Sequence, residues 1–244
     1  MYETPKNSID FRLWGRFALF TDPLTKMGGE KYSYHIPTYE ALKGVCKSIY
    51  WKPTIVWVVD EVRIMKRIRT QTKGTKPLEF NGGNTLAIYT FLSDVEYQVR
   101  AHFEWNVCQH KLVRDRVDGK HFSIIKRMLE RGGRQDIFLG TRDCQGYVEP
   151  CAFGESEGAY DNDEELSYGL MFHGFDYPDE TGNNELIARF WRPVLKKGIL
   201  KFDRPDECPD NLRKIVRSMT PKSFGIDENV KSVDSELVEL GVSE

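Results

Sequence analysis

An alternation of apolar and polar residues is the feature of this 244-residue sequence that most restricts its fold. From Tyr97 to Val107, apolar side chains occupy every second position and polar side chains lie between them. Successive side chains of a β-strand point to opposite faces of a sheet, so the pattern predicts an antiparallel strand with one buried face. Such a strand needs partner strands, which the rest of the chain must supply.

The other periodic segments predict the partners of this strand and two helices. In chain order, the predicted elements are a strand (Ile9–Phe20), a helix (Pro37–Tyr50), a strand (Thr54–Met65), the alternating strand, a helix (Asp118–Gly133) and the short strands Ile137–Leu139 and Tyr147–Val148. The order strand, helix, strand, strand, helix, strand is that of the split βαβ, or ferredoxin-like (βαββαβ), arrangement. We therefore predict an α+β fold with a ferredoxin-like domain over residues 1–150.

The character of the chain changes after Pro150. Residues 1–150 carry 24 Lys and Arg against 17 Asp and Glu, whereas residues 151–244 carry 11 against 20. Three short strands (Leu166–Phe175, Glu185–Trp191, Ile199–Phe202) predict a small antiparallel sheet domain over residues 151–224, with a short helix at Asn211–Met219. Residues 225–244 form an acidic tail with one apolar stripe, and we expect it either to be disordered or to dock on a partner.

Composition excludes several classes of protein. No segment approaches the run of about twenty apolar residues that crosses a bilayer, and Met1–Asp10 has no apolar signal core. The five cysteines form no C-x-x-C pair, and the five histidines show no H-x-x-x-H spacing. We therefore expect a cytoplasmic protein with free thiols, no membrane contact, no metal site and no cofactor.

Lys120 and His121 stand at the predicted start of the second helix. Free backbone N–H groups and the positive end of the helix dipole favour an anion such as phosphate at this position. A lysine and a titratable imidazole beside a phosphate could take part in phosphoryl chemistry. By itself, however, such a pair is more often exposed surface before a helix.

Cationic side chains concentrate in the segment from Arg63 to Lys76. It contains six cations and no acid, and it reads as a projecting strand extension or hairpin arm. The cations are Arg63, Lys66, Arg67, Arg69, Lys73 and Lys76. The loop from Thr21 to Tyr34 adds Lys26 and Lys31 among tyrosines, a mixture that suits nucleic acid. Both segments predict RNA contacts, although a solvated arm and an ordinary polar connection are the plain alternatives.

Several long blocks of this sequence resemble the CRISPR-associated Cas-five family in its type I-C form. The similarity runs from about Ile9 to Phe224, and the acidic tail lies outside it. The matching blocks are Leu19–Lys26, Pro37–Gly44, Ser48–Thr54, Gly119–His121, Phe138–Gly140, Cys144–Val148 and His173–Gly182.

The resemblance implies a fold, an activity and partners. It implies a ferredoxin-like domain of the RNA-recognition type followed by a small sheet. It implies metal-independent cleavage of precursor CRISPR RNA at the base of the repeat hairpin. The product, CRISPR RNA (crRNA), would remain bound by its 5′ tag beside the backbone and large subunits of the interference complex. The family's catalytic tyrosine corresponds to Tyr50, and its Lys-His pair corresponds to Lys120 and His121.

Metal-free RNA cleavage uses the ribose 2′-OH as the nucleophile. An imidazole with an unperturbed pKa of about 6.5 titrates near neutrality, whereas a phenol at about 10 stays protonated, so Tyr50 suits orienting or protonating an oxygen. Lys120 would stabilise the phosphorane oxygens. Two alternatives stay open at this point: a crRNA-tag-binding scaffold without catalysis, and a metal-dependent DNA nuclease with weak duplex DNA binding. The sequence shows no cluster of carboxylates at the spacing of a metal site, so it gives no support to the DNA nuclease.

Overall fold

The structure, a computed structural model, describes residues 7–26 and 30–241, without the side chains of Leu24 and Lys26. Part of the predicted N-terminal segment, residues 1–6, lies outside the described residues, as does the end of the acidic tail. The described strands are β1 (Ser8–Ala18), β2 (Lys31–Tyr32), β3 (Ile55–Ile64), β4 (Thr70–Thr75), β5 (Ala87–Trp105), β6 (Ile137–Phe138), β7 (Gln145–Pro150), β8 (Leu166–Ser167), β9 (Met171–Asp176), β10 (Glu185–Trp191), β11 (Val194–Lys196), β12 (Ile199–Lys201) and β13 (Arg213–Ser218).

Five α-helices and two 3-10 helices lie within the described ranges. They are α1 (Pro23–Lys26), α2 (Tyr39–Ile49), α3 (Lys120–Glu130), α4 (Pro178–Thr181) and α5 (Val233–Leu240), with 3-10 turns at His110–Asp115 and Asp210–Leu212. The fold is thus mixed α/β and dominated by antiparallel sheets. No described helix is both long and apolar enough to span a bilayer.

Four strands form the centre of the large sheet. Their spatial order is β7-β1-β5-β3, and every neighbouring pair is antiparallel. Strand β5 contains the alternation that the sequence shows, and it begins ten positions before the predicted strand, at Ala87. The first six residues of β5, 87–92, pair with β4, and two of them pair in parallel with β2, so β5 extends beyond the four-stranded centre as a hairpin arm.

Helices α2 and α3 form where the apolar stripes predict them. Thr38 caps α2, because its side chain accepts a hydrogen bond from the Ala41 backbone N–H at 3.2 Å. The apolar stripes of the two helices are buried against the sheet; they comprise Leu42, Val45, Cys46 and Ile49 of α2 and Ile124, Ile125, Met128 and Leu129 of α3. Left-handed Gly132 ends α3, and the Gly133 N–H then donates to the Met128 carbonyl at 2.8 Å.

The strands after Pro150 divide between two sheets. A separate three-stranded sheet has the order β13-β10-β9; β9 and β10 fall in two of the three strands predicted for the small sheet, and β13 takes the place of the third. Strands β12, β11 and β8 instead continue the large sheet from the edge of β3. The predicted helix at Asn211–Met219 is wrong, because β13 occupies most of it and its backbone hydrogen bonds go to β10.

The acidic tail folds back onto its own chain. Ser232 caps α5 through its side chain, which accepts from the Ser235 N–H at 3.2 Å. Val233 and Leu237, two members of the predicted apolar stripe, are buried, and α5 lies against α3. The apolar stripe therefore docks within the molecule, so its described part forms neither a disordered tail nor a face left open for a partner.

Candidate active site

Tyr50 and His121 meet at the junction of α2 and α3. Tyr50 is the C-cap of α2 and His121 is the second residue of α3. The phenol oxygen lies 3.1 Å from His121 Nδ1, and both side chains are fully buried. In the sequence, only the family resemblance relates these two residues; in the structure, the antiparallel placement of the two helix ends brings them into hydrogen-bond contact.

The backbone around Tyr50 is held by its neighbours in the fold. Tyr50 has left the helical conformation, with φ −160° and ψ 132°, and its carbonyl accepts from the Trp57 indole N–H at 2.8 Å. After α3, the Arg134 N–H donates to the Ser48 and Ile49 carbonyls at 3.1 and 3.2 Å. These bonds connect the end of α2 to β3 and to the segment that follows α3.

The hydrogen bonds of His121 fix its tautomer. Nε2 lies 2.6 Å from the backbone carbonyl oxygen of Asp115, which can only accept, so Nε2 carries the proton. Nδ1 is then the acceptor that faces the Tyr50 hydroxyl. Burial lowers the pKa of His121 and raises the pKa of Tyr50. At neutral pH the pair is therefore an uncharged imidazole beside a protonated phenol.

Lys120 is the first residue of α3, directly after left-handed Gly119 with φ 78°. Lys120 and His121 therefore both belong to the first turn of α3, where the backbone N–H groups of a helix are suited to an anion. The Lys120 ammonium group forms an ion pair with Asp234 of α5.

Four charged residues around the pair were not identified from the sequence: Lys52, Asp115, Arg134 and Glu236. The carboxylate of Asp115 accepts from Thr54 Oγ1 at 2.6 Å and lies 3.4 Å from Lys52 Nζ. Lys52 and Asp115 are also almost wholly buried. Lys52 could have been identified from the sequence, because it lies two residues after Tyr50 in the same Ser48–Thr54 block. No signal was available for Glu236, because its place depends on how the tail folds back.

Arg63 lies inside the molecule and does not project with the arm. Only 6% of its surface is exposed. Its guanidinium pairs with the Asp161 carboxylate and donates to the carbonyls of Glu155 and Ser156 at 3.1 and 2.9 Å. Arg63 belongs to the paired part of β3, so its side chain anchors the 155–161 loop.

The other predicted cations differ in how they are held. Lys66 Nζ lies 2.8 Å from the Asp94 carboxylate, and Arg67 pairs with Asp163, yet both side chains are about half exposed. Arg69 and Lys76 are exposed. The side chain of Lys26 lies outside the described residues.

Lys31 and Lys73 flank one aromatic residue of β5. Both residues pair with Tyr89, Lys31 from β2 and Lys73 from β4. Lys31 Nζ is 4.7 Å from the centre of the Tyr89 ring, and Lys73 Nζ is 3.4 Å from the centre of the Phe17 ring. The two predicted segments thus converge on the far part of β5.

The predicted catalytic residues and the predicted RNA-binding cations lie toward opposite ends of β5. Tyr89 is near the start of this strand, whereas the ring of Trp105 at its end is 5.3 Å from the His121 ring, centre to centre. At about 3.3 Å per residue, the contour of the strand between them is roughly 50 Å. Within the described residues, no group of three or more His, Cys, Asp or Glu side chains is placed to hold a metal ion.

Comparison with known proteins identifies the family. The model of the family described as "CRISPR-associated protein (Cas_Cas5)" matches residues 8–203. A protein of Mannheimia succiniciproducens named CRISPR pre-crRNA endoribonuclease Cas5d is 28% identical over 225 residues, which cover 80% of this chain and 94% of that protein. A protein of the same name from Thermus thermophilus is 26% identical over 195 residues, with 76% of this chain and 80% of that protein covered.

A solved structure is similar to this chain over most of its length. The crystal structure of a CRISPR-associated protein superposes with a TM-score of 0.71 and 33% sequence identity, covering 85% of this chain and 97% of that one. The family match spans most of the large sheet together with Tyr50, Lys120 and His121, whereas α5 lies beyond it. The chain belongs to the CRISPR-associated Cas5 family, in its type I-C form.

Proposed function

We propose that this protein is an endoribonuclease that cleaves precursor CRISPR RNA at the base of the repeat hairpin without a metal ion. It then holds the 5′ tag of the crRNA as a subunit of the type I-C interference complex. The observation that carries the proposal is the buried contact of Tyr50 with His121, with Lys120 beside it at the start of α3. The names of the relatives support the choice of substrate.

In the proposed reaction the ribose 2′-OH attacks the adjacent phosphorus in line. The bond to the 5′ oxygen breaks, and a 2′,3′-cyclic phosphate and a 5′-OH form. His121 accepts the nucleophile's proton through the Tyr50 hydroxyl, which gives its own proton to Nδ1 as it takes the ribose proton. Burial lowers the pKa of His121, so the imidazole is unprotonated and Nδ1 can accept a proton, and it raises the pKa of Tyr50, so the phenol relays a proton rather than becoming an anion.

Lys120 and the N-terminus of α3 stabilise the charge that builds on the phosphorane oxygens. A cation and free backbone N–H groups are both suited to this task in a site sheltered from water. The departing 5′ oxygen takes its proton from the Lys120 ammonium group or from water.

The arm supplies the proposed contacts to the RNA backbone. Lys31, Lys66, Arg67, Arg69, Lys73 and Lys76 are the proposed contacts, and Lys26 joins them because it lies in the same Thr21–Tyr34 segment of the sequence as Lys31. Buried Arg63 is left out of the set. We also propose that the β7-β1-β5-β3 sheet with α2 and α3 is a ferredoxin-like domain, since its strand order and antiparallel directions suit that class.

Incubation with repeat RNA in EDTA tests the proposal. The wild type should release a product with a 5′-OH end, and Lys120→Ala or His121→Ala should lower the cleavage rate about 100-fold or more, as loss of a proton-transfer or charge-stabilising group does. RNA affinity should change much less. Lys126→Ala is a matched control, because Lys126 is an exposed cation on the same helix.

The alternatives correspond to other outcomes of this assay. RNA that is bound but never cut would support the tag-binding scaffold. Activity on duplex DNA that appears only with added Mg²⁺ or Mn²⁺ would support the DNA nuclease. Normal cleavage by the His121 variant would remove that residue from the mechanism.

A further inference from the structure

The proposed catalytic pair is closed off from solvent by the chain's own tail. Tyr50 and His121 have no exposed surface, so no phosphate can touch them in this arrangement. Helix α5 covers them: Glu236 contacts the Tyr50 hydroxyl, and the Val233 N–H donates to the Asp115 carboxylate at 2.5 Å. The proposed function therefore requires part of this cover to move, and α5 is the part that contacts the Tyr50 hydroxyl.

Glu236 lies in an anion site made by two cations, Lys52 and Arg134, beside the Tyr50 hydroxyl. Its Oε2 atom lies 3.4 Å from the Tyr50 hydroxyl and 3.1 Å from Lys52 Nζ. Its Oε1 atom pairs with the Arg134 guanidinium. Glu236 is 5% exposed, so the carboxylate has left water and depends on these donors.

A second acid of the tail also pairs with a residue of the proposed site. Asp234 pairs with Lys120, the cation proposed to stabilise the phosphorane. Two carboxylates of one helix thus contact Tyr50 and Lys120, the groups that the reaction would direct at a phosphate. Carboxylate and phosphate oxygens accept the same charge-assisted hydrogen bonds from lysine and arginine.

We propose that the Glu236 carboxylate marks the position of the scissile phosphate. Lys52 and Arg134 are then further substrate-contacting residues, and α5 is an acidic segment that must be displaced before RNA can be cut. This inference rests on the proposed function, because it assigns the phosphate to the site of Tyr50 and His121. Displacement exchanges one anion for another, so a polyanion such as RNA is suited to drive it.

Two isosteric substitutions in the full chain test the competition. Asp234→Asn with Glu236→Gln removes both charges and keeps the shape of the helix. We expect this variant to bind repeat RNA with a 2′-deoxy cut position up to about tenfold more tightly, the largest factor possible if about a tenth of wild-type molecules are open. Glu239→Gln is the matched control: Glu239 lies on the same helix but pairs with Lys231, at 2.7 Å, and the affinity of this variant for RNA should equal that of the wild type.

Hydrogen exchange reports the displacement without relying on cleavage. In the wild type, amides of residues 233–240 should exchange faster once the uncleavable RNA binds. Unchanged affinity of the double variant, together with unchanged exchange in the complex, would overturn the inference even if the wild type cuts RNA normally. If no form of the protein cuts RNA, the proposed function fails, and these two binding readouts still decide whether the tail competes with RNA.

Arg134 tests the phosphate position itself. Its side chain is 48% exposed, so Arg134→Gln should fold. Introduced into the double variant, where the tail no longer needs its charge, it should lower the cleavage rate about 100-fold, as loss of a donor to a developing oxyanion does. Arg134→Lys should restore part of the rate. An unchanged rate for Arg134→Gln in that background would show that the phosphate lies elsewhere.

Discussion

Two buried tyrosines on helix α2 allow the role of the Tyr50 hydroxyl to be isolated. Tyr39 begins the helix and Tyr50 caps its end, and neither has exposed surface. The Tyr50 hydroxyl contacts His121 and Glu236, whereas the Tyr39 hydroxyl has no hydrogen-bond partner of good geometry among the described residues. Substituting each by Phe removes one oxygen atom and leaves the ring.

The structure predicts different effects on stability for the two variants. In Tyr50→Phe, His121 Nδ1 loses its donor and remains buried, which costs about 1–3 kcal/mol of unfolding free energy. In Tyr39→Phe, a poorly paired buried hydroxyl is removed, so stability should be unchanged or rise by up to about 1 kcal/mol. Urea unfolding of both variants beside the wild type measures the difference.

Cleavage of repeat RNA should separate the two variants further. Tyr50→Phe loses the proposed proton relay, so the rate should fall about 100-fold, which corresponds to about 2.7 kcal/mol in activation free energy. Tyr39→Phe should cut at the wild-type rate. Equal rates for the two variants, with both folded, would refute the assignment of Tyr50 to the reaction.

Three further predictions concern the arm, a buried histidine and a tight turn. Replacing Lys66, Arg69 and Lys73 by Gln should reduce the salt dependence of RNA binding, measured as the slope of log affinity against log salt concentration. The slope should become shallower by about 0.7 for each phosphate that is no longer neutralised. An unchanged slope would count against these three residues as RNA contacts. Burial, with Arg189 nearby, lowers the pKa of His173 to about 3. Because the unfolded chain binds this proton at about pH 6.5, stability should fall as the pH drops from about 6.5 toward 3, by about 2 kcal/mol at pH 5, and His173→Gln should lose that part of the slope in urea unfolding. Gly140→Ala should lower the free energy of unfolding by about 2 kcal/mol or more, because Gly140 has a φ of +93° and an added Cβ would lie 2.1 Å from the Leu19 carbonyl oxygen. Wild-type stability of this variant in urea unfolding would contradict the prediction.

The parts of the fold that follow from local pattern could be predicted from the sequence. Helices α2 and α3 carry apolar stripes with clear start and stop residues, and β5 carries a strict alternation, so their positions depend little on distant residues. Strand β13 differs, because its two adjacent β-branched residues, Ile215 and Val216, are both more than half exposed and follow no buried face. Pairing with β10, which is distant in the sequence, makes this segment a strand.

The candidate site was predictable only in part for the same reason. Tyr50, Lys120 and His121 stand at helix ends, and the predicted helices place those ends. Arg63 looked like part of a cationic arm because its acidic partner, Asp161, is 98 residues away in the chain. The tail carried an amphipathic stripe in its sequence, but no local feature indicates that the stripe packs on α3.

Whether a ribose hydroxyl does the cutting is tested directly by one modified substrate. Repeat RNA with a single 2′-deoxy nucleotide at the cut position should bind the protein in EDTA and remain intact, while the unmodified RNA yields a 2′,3′-cyclic phosphate and a 5′-OH. Cleavage of the deoxy substrate at the normal position would contradict the internal nucleophile and the roles given to Tyr50 and His121.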